Sequence, residues 1–229
     1  MTEPAPGALG PRPANRRLTA IVWTLLSLGI FAVMLGGMRE MWRSSERQDF
    51  RELPLLGQLT DFQLVERNGQ TRSLADLKGE IWFGAFFFTT CPGPCPMLIS
   101  QMVELSRAVS RTQGKVRVVA ITVDPETDTP ERLREYAQRM GVGENFWLLR
   151  GPLPEVFRIA REGFKMAVEE NPPEAVPQAG RMLHSTKVAL VDAQGRVRGY
   201  YEGTNGELLG RALPDLGNVM HEAGVGERK

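Results

Sequence analysis

Both cysteines of the chain, Cys91 and Cys95, lie four positions apart in the proline-rich segment 89–96. The segment follows a continuous apolar run, 81–88, and precedes apolar residues at helical spacing, which predicts a buried strand, a turn and the start of a helix. Residues i and i+4 share one helix face, beside the positive N-terminus that stabilises thiolates. Such a pair can exchange with a disulfide or bind a soft metal, Cu(I) above all and zinc less strictly.

Two sulfurs alone leave a metal site short of ligands, so a metal requires a third donor. His184 is the candidate, because it precedes the apolar strand pattern 187–191. The beginning of an antiparallel strand can lie beside the cysteine turn. The other histidine, His221, is expected at the surface near the end of a C-terminal helix. Two further interpretations are less favoured. Cysteines at a strand–helix junction fill a hydrophobic core poorly, and a purely structural disulfide would close a very short loop and stabilise the fold little.

Two acidic residues, Asp124 and Asp128, follow the next predicted strand and are candidates for supporting contacts near the site. The competing interpretation is an ordinary helix start. Asp128 and Thr129 are good residues to precede a helix, and Pro130 suits its first position. Both interpretations remain open at this point.

Alternating patterns predict an α/β domain with a central mixed sheet flanked by helices. In such a sheet, ligands bind at the carboxyl ends of the strands, where the cysteine segment falls. The predicted strands are 62–65 and 71–74 around an Asn-Gly turn, 81–88, 116–123, 146–149, 187–191 and 196–201. The predicted helices are one after the cysteines, 129–140, 153–161, and one from about Asn205 that Pro214 should kink or break. The proline-containing stretch 163–183 is predicted to be a long loop.

Composition excludes several classes of protein. The chain has 229 residues, 42% of them hydrophobic and 24% charged, which is typical of a globular domain. The net charge of +1 and the lack of a basic stripe give no reason to expect a nucleic-acid partner. Two cysteines exclude both a disulfide-dense scaffold and a four-cysteine zinc site.

An uncharged run of 21 residues, 18–38, is long enough to cross a bilayer. A cleaved signal peptide is the competing interpretation, but Gly36 and Gly37 follow Met34 and Leu35 rather than completing a small-x-small cleavage site. We therefore predict a polar tail at 1–17, a transmembrane anchor at 18–38, a charged juxtamembrane linker at 39–52 and a folded domain at 53–229.

Together, these residues resemble the Sco/SenC family, membrane-anchored copper proteins that assemble cytochrome c oxidase and have a thioredoxin-like fold. Four features carry the resemblance, over about 62–220 of the chain and the segment before it. They are the N-terminal anchor, the phenylalanine-rich strand leading into Thr90-Cys91-Pro92-Gly93-Pro94-Cys95-Pro96, the segment Val123-Asp124-Pro125-Glu126-Thr127-Asp128-Thr129-Pro130, and His184-Ser185. The chain departs from the family in having Gly93 and Leu183 where acidic residues are common.

The resemblance implies that Cys91, Cys95 and His184 bind copper, with Cu(I) the expected ion and Cu(II) a second candidate. It implies a domain on the periplasmic side of the inner membrane, held by a single span. The implied partner is cytochrome c oxidase subunit II, which would receive the copper, together with a copper donor and a thiol reductant.

Three functions are compatible with the motif. The first is a copper metallochaperone, which is not an enzyme. The second is a thiol–disulfide oxidoreductase that reduces cysteines of the oxidase copper site or of other extracytoplasmic partners, and the third is a peroxiredoxin-type or redox-sensing protein. Thioredoxin-like oxidoreductases have a cis-proline before the strand that faces the cysteines, whereas this chain has Met182-Leu183-His184 there. That difference and the three-residue spacer favour metal binding.

Overall fold

The computed structural model describes residues 16–46, 50–112, 115–172 and 182–224. The chain divides into two compact units, Met1–Asp49 and Phe50–Lys229. In the first unit, the described residues form one helix, α1, Arg16–Glu46. Its segment Ala20–Arg39 is long and apolar enough to cross a membrane, and its side chains are exposed. The predicted polar tail 1–17 lies almost wholly outside the described residues, and the four predicted segments remain predictions.

The second unit is built on a mixed sheet of eight strands. Its strands are β1 Gly57–Gln58, β2 Gln63–Glu66, β3 Thr71–Ser73, β4 Ile81–Phe87, β5 Val116–Thr122, β6 Phe146–Arg150, β9 Lys187–Val191 and β10 Arg196–Glu202. Their order across the sheet is β1-β10-β9-β4-β5-β6-β2-β3. A separate antiparallel pair consists of β7 Val168–Glu170 and β8 Met182–His184. Strands β4, β5 and β6 are parallel, and β9 runs antiparallel to β4.

Among the described residues, four α-helices accompany the sheet. They are α2 Cys95–Val109, α3 Pro130–Met140, α4 Leu153–Arg158 and α5 Leu208–Glu222. Every residue of β4 is buried, as its continuous apolar run predicts. Helix α3 begins after Thr129, whose side chain accepts a hydrogen bond from the Arg132 amide, and it ends at Gly141 with φ +71°, a left-handed conformation that glycine adopts without strain.

Three details of the structure differ from the sequence prediction. The stretch predicted as a loop, 163–183, contains β7 and the first residues of β8, while 173–181 lie outside the described residues. The predicted helix 153–161 is α-helical only to Arg158 and continues as a π-helical turn, Ile159–Gly163. Helix α5 begins at Leu208 and continues through Pro214. Pro214 has no amide hydrogen, so the carbonyl of Gly210 loses its helical partner. Both residues are exposed, and water can therefore hydrogen-bond to that carbonyl.

Candidate metal centre

The cysteine turn joins the carboxyl end of β4 to the first residue of α2. The amide of Cys91 donates a 3.4 Å hydrogen bond to the carbonyl of Phe88, and α2 begins at Cys95 directly after Pro94. Pro96 occupies the second helical position, where an amide has no helical partner in any case, so the proline costs no hydrogen bond there. Cys91 is partly exposed, Cys95 is buried, and neither forms a disulfide.

His184 ends β8 and lies beside the cysteine turn, although 89 positions separate it from Cys95. Its Nε2 atom lies 3.0 Å from the Sγ atom of Cys95. Its Nδ1 atom lies 2.9 Å from the carbonyl oxygen of Ser185. Because that oxygen can only accept, Nδ1 carries a proton, and Nε2 is the nitrogen that faces the sulfur. The edge of the Phe88 ring packs against the imidazole, with the centroids 5.7 Å apart and the rings 82° to each other.

The two thiols differ in acidity. Burial alone would raise the pKa of Cys91, but hydrogen bonds from His184, Cys95 and the backbone lower it to about 7. The pKa of Cys95 is instead raised, chiefly by its deeper burial and further by its contact with Cys91. Near pH 7, about half of Cys91 is therefore thiolate, whereas Cys95 remains a protonated thiol.

The carboxylate of Asp128 holds the start of the cysteine turn. Asp128 is fully buried and accepts hydrogen bonds from the Thr89 amide (3.1 Å), the Thr89 hydroxyl and the Thr122 hydroxyl. Arg132 donates from Nε to the Thr89 hydroxyl oxygen at 2.9 Å. Burial raises the pKa of Asp128, while the two threonines act in the opposite direction. Asp128 thus supports the turn from β5 and α3 rather than meeting the sulfurs directly.

The three predicted ligands form a group that can hold a metal ion. The sulfurs of Cys91 and Cys95 and a ring nitrogen of His184 all lie within 4.8 Å of one another, and this is the one such group among the described residues. Typical bonds to a borderline ion such as zinc are about 2.3 Å to sulfur and about 2.0–2.1 Å to imidazole, so a single ion can reach all three atoms after small adjustments. Asp124 and Asp128 are not part of this group.

Two thiolates and one imidazole are the donors that a soft d¹⁰ ion prefers. Among the described residues, this group includes no carboxylate of the kind that calcium or magnesium requires. The arrangement also supports exchange with a disulfide, since a thiolate and a thiol lie side by side. Sequence reasoning missed the contacts of Phe88, Thr89 and Arg132. Phe88 and Thr89 stand immediately before the motif, and this position could have indicated that they contact the site. Arg132 has no sequence feature that links it to the cysteine turn.

Comparison with known proteins identifies the family. The SCO1/SenC family model matches residues 57–211, more than half of the chain. The chain belongs to the SCO1/SenC family. The SCO1 protein homolog of Bacillus subtilis (strain 168) is 31% identical over 152 residues, which cover 66% of this chain and 76% of that relative. The sequence-based assignment to the family is confirmed.

Solved structures of Sco proteins share the fold. BsSco, a member of the Sco family of cytochrome c oxidase assembly proteins in which a disulfide switch has been identified, is 26% identical with a TM-score of 0.64, over 74% of this chain and 98% of that chain. Yeast Sco1, solved with copper bound, is 22% identical with a TM-score of 0.58, over 77% of this chain and 96% of that chain, and at this identity it shows the fold alone. The predicted thioredoxin-like fold, a mixed sheet flanked by helices, is confirmed.

Proposed function

We propose that this SCO1/SenC protein is a membrane-anchored copper chaperone that binds Cu(I) through Cys91, Cys95 and His184. It would deliver the ion to cytochrome c oxidase subunit II during assembly of the oxidase. The observation that carries the proposal is the convergence of two sulfurs and one imidazole nitrogen within 4.8 Å at the carboxyl end of β4. Its support from relatives is the copper-bound state of yeast Sco1 and the assembly role of the Sco family.

Copper is the cargo of this protein, and the residues of the site are suited to take it up. Cys91 ionises near pH 7, at lower pH than Cys95, and offers the first sulfur. Cys95 must lose its proton before its sulfur can bind, so uptake releases a proton and the affinity falls as the pH drops. The contact between Nδ1 of His184 and the Ser185 carbonyl directs Nε2 into the site, where its lone pair can bind the ion.

The same three residues are accessible to a partner from one side. Cys91 and His184 are partly exposed, while Cys95 is buried beneath them. A docked partner could therefore replace the exposed donors first and the buried sulfur last. Stepwise exchange of ligands of this kind passes the ion on without releasing it to water.

A thiol–disulfide oxidoreductase is the second candidate, favoured by the unequal acidity of the two thiols. The Cys91 thiolate would attack a partner disulfide and form a mixed disulfide, releasing one partner thiolate. Cys95 would lose its proton and displace the second partner thiolate, which leaves a Cys91–Cys95 disulfide. Two electrons thus pass to the partner, and a thiol reductant must restore the pair.

We place the protein in the inner membrane with α1 as a single span and the domain on the periplasmic side. The apolar run Ala20–Arg39 of α1 supports this anchor. Thiols outside the cytoplasm tend to oxidise, so a copper-binding pair there requires a dedicated reductant as well as a copper donor.

Copper uptake by the reduced and the oxidised protein distinguishes the two functions. We expect one Cu(I) per reduced chain and none after formation of the Cys91–Cys95 disulfide, because disulfide sulfurs lack the thiolate charge that a soft metal needs. His184→Ala should weaken uptake, whereas His221→Ala, which changes the other histidine, should leave it intact. Equal uptake in both redox states would contradict the chaperone proposal.

A second measurement is the rate at which the metal-free protein reduces an oxidised subunit II peptide. Rapid reduction that survives His184→Ala would favour the oxidoreductase, since thiol exchange has no need of a third metal ligand. Slow reduction together with copper uptake would favour the chaperone.

A further inference from the structure

The exposed apolar side chains of the domain are concentrated where its chain begins. Among the described residues from 50 onward, the large hydrophobic side chains that are clearly exposed are Phe50 (44%), Leu55 (64%), Leu56 (40%) and Met97 (55%). Three of these four fall within seven consecutive residues, which we call the apolar segment (residues 50–56). Isolated exposed leucines are ordinary, but a local concentration of them marks a surface that contacts something.

Hydrogen bonds and a ring contact hold the apolar segment against the domain. The amide of Arg51 donates to Oδ1 of Asn218 (3.3 Å), and the amide of Leu53 donates to Oε1 of Glu222 (3.2 Å). The Phe50 ring stacks on the His221 imidazole, with the centroids 3.8 Å apart and the planes 6° from parallel. Helix α5 therefore holds one side of the segment.

A buried arginine holds the other side. Arg198, in β10, is 3% exposed and donates from Nη2 to the Leu53 carbonyl (2.6 Å) and from Nε to the Pro54 carbonyl (3.3 Å). Its charge is balanced by Asp192 (3.1 Å) and Glu222 (2.7 Å). With Leu53 buried between these contacts, the side chains of Leu55 and Leu56 project outward from a fixed backbone. Their exposure is a preformed feature of the domain surface.

The chain itself keeps this segment close to the end of the apolar run in α1. From Arg39, α1 continues for seven residues to Glu46, and four more residues reach Phe50. At 1.5 Å per helical residue and at most 3.6 Å per extended residue, Phe50 lies within about 25 Å of the end of that run. A bilayer holding Ala20–Arg39 would thus have its headgroup layer within reach of residues 50–56.

We propose that Phe50, Leu55 and Leu56 contact the headgroup layer of the bilayer that holds α1, and that this contact orients the domain. Apolar and aromatic side chains flanked by a basic residue suit the interface, and Arg51 supplies an exposed cation, its guanidinium 4.0 Å from Asp215. The proposal rests on the anchoring part of the proposed function.

The orientation that follows has a consequence for the metal centre. In the sheet, Gly57 pairs with Val197, Val197 with Val191, and Val191 with Trp82 at the beginning of β4. Cys91 follows the opposite end of β4, after Phe87. Leu55 and Leu56 lie within two residues of Gly57, and Phe50 stacks on His221 near the last residue of α5, the helix that runs back from the metal side after β10. The apolar segment therefore lies toward the end of the sheet that is remote from the metal centre. A bilayer contact at residues 50–56 turns the metal centre away from the lipid and toward the extramembrane parts of a partner.

Methyl NMR of the full-length protein in nanodiscs tests this contact. The discs contain an equimolar mixture of POPC and POPG, with a small amount of lipid that carries a gadolinium chelate on its headgroup. We expect the methyl signals of Leu55 and Leu56 to be lost when the chelated lipid is present, while the methyl signal of Met97 persists. Met97 is the matched control, because it is equally exposed but lies at the metal end of the domain.

The double variant Leu55→Ser, Leu56→Ser supplies the second readout. With lipid contact removed, the Met97 methyl signal should weaken, because the domain no longer holds one orientation. Equal loss of Leu55, Leu56 and Met97 signals in the unsubstituted protein would overturn the proposal. Retention of all three signals would also overturn the proposal. If a second copy of the chain covered the segment and so preserved the signals, light scattering would show a doubled protein mass per disc.

Cu(I) uptake measured on the same samples keeps the two proposals separate. A protein that shows the expected signal loss without binding copper would refute the chaperone function and leave the lipid contact supported. A chain that does not remain with the discs would overturn the lipid contact together with the anchor.

Discussion

At the scale of single residues, the metal centre depends on two thiols that the fold makes unequal. Cys91 is partly exposed with a pKa of about 7, and Cys95 is buried with a raised pKa. Because the thiolate is the reactive form, exposure and acidity favour the same sulfur. Cys91 is thus the first contact for an electrophile or an incoming soft metal, and Cys95 completes the site from beneath.

Alkylation of the reduced, metal-free protein tests this inequality. Iodoacetamide should modify Cys91 much faster than Cys95, at a rate that rises with pH and is half-maximal near pH 7, where Cys91 ionises. His184→Ala should move that midpoint upward, because it removes a hydrogen bond that lowers the pKa of Cys91. Peptide mass spectrometry measures each thiol separately, and equal rates for the two cysteines would contradict the assignment.

Asp128 is the residue that fixes the cysteine turn from behind. Replacement by alanine leaves the Thr89 amide without its acceptor in a partly buried position. An unsatisfied buried donor costs about 1–3 kcal/mol, so we expect Asp128→Ala to lower the free energy of unfolding by about 2 kcal/mol and to weaken Cu(I) binding. Urea denaturation and a Cu(I) competition assay check the two effects.

Glu131→Ala is the control for Asp128→Ala, since Glu131 lies nearby in the first turn of α3, at an exposed position where it pairs with Arg134. It should change neither stability nor copper affinity appreciably, as exposed ion pairs contribute about 0–1 kcal/mol. If both variants behaved alike, Asp128 would have no special role in holding the turn.

At the scale of secondary-structure elements, Arg198 joins β10, α5 and the beginning of the domain. Replacement by leucine removes the partner of Glu222 and the donors to the Leu53 and Pro54 carbonyls. Breaking a buried pair costs about 3–5 kcal/mol, and because Arg196 still pairs with Asp192, we expect a loss of about 3 kcal/mol in urea denaturation. The more exposed Arg196, replaced by leucine, should cost less than about 1 kcal/mol. Equal losses would contradict the role of Arg198.

The elements that the sequence predicted well are those with strong local signals. Strand β4 follows from an unbroken apolar run, and α3 from Thr129 and Pro130 at its beginning and Gly141 at its end. Strands β7 and β8 were missed because three-residue strands carry no periodic signal and exist through pairing with each other across a long separation. The π-helical turn was missed because it serves the packing of Phe164 against Trp82 and Phe86, which only the folded core determines.

The ligand set could be predicted for a different reason. The chain has two cysteines and two histidines, so few thiolate and imidazole donors could hold a soft metal. The orientation of His184 could not be predicted, because it depends on the Ser185 carbonyl and the Phe88 ring, which meet it only in the fold. Asp128 was a candidate whose actual partners, Thr89 and Thr122, lie on two other elements.

At the scale of the whole molecule, the chain combines an apolar helix with a domain whose metal centre lies at the end of the sheet remote from residue 57. If α1 is an uncleaved anchor, the full-length protein should remain in the membrane pellet after extraction with alkaline carbonate. N-terminal sequencing should find no mature chain that begins after Gly37. Release into the supernatant, or such a cleaved form, would show that the segment is a signal peptide.

The most direct test of the central claim is X-ray absorption spectroscopy of the reduced full-length protein loaded with one equivalent of Cu(I). We expect a copper ion with two sulfur neighbours and one imidazole nitrogen, and loss of the imidazole contribution in His184→Ala but not in His221→Ala. A spectrum with only oxygen and nitrogen neighbours, or one unchanged by His184→Ala, would contradict a copper centre formed by Cys91, Cys95 and His184.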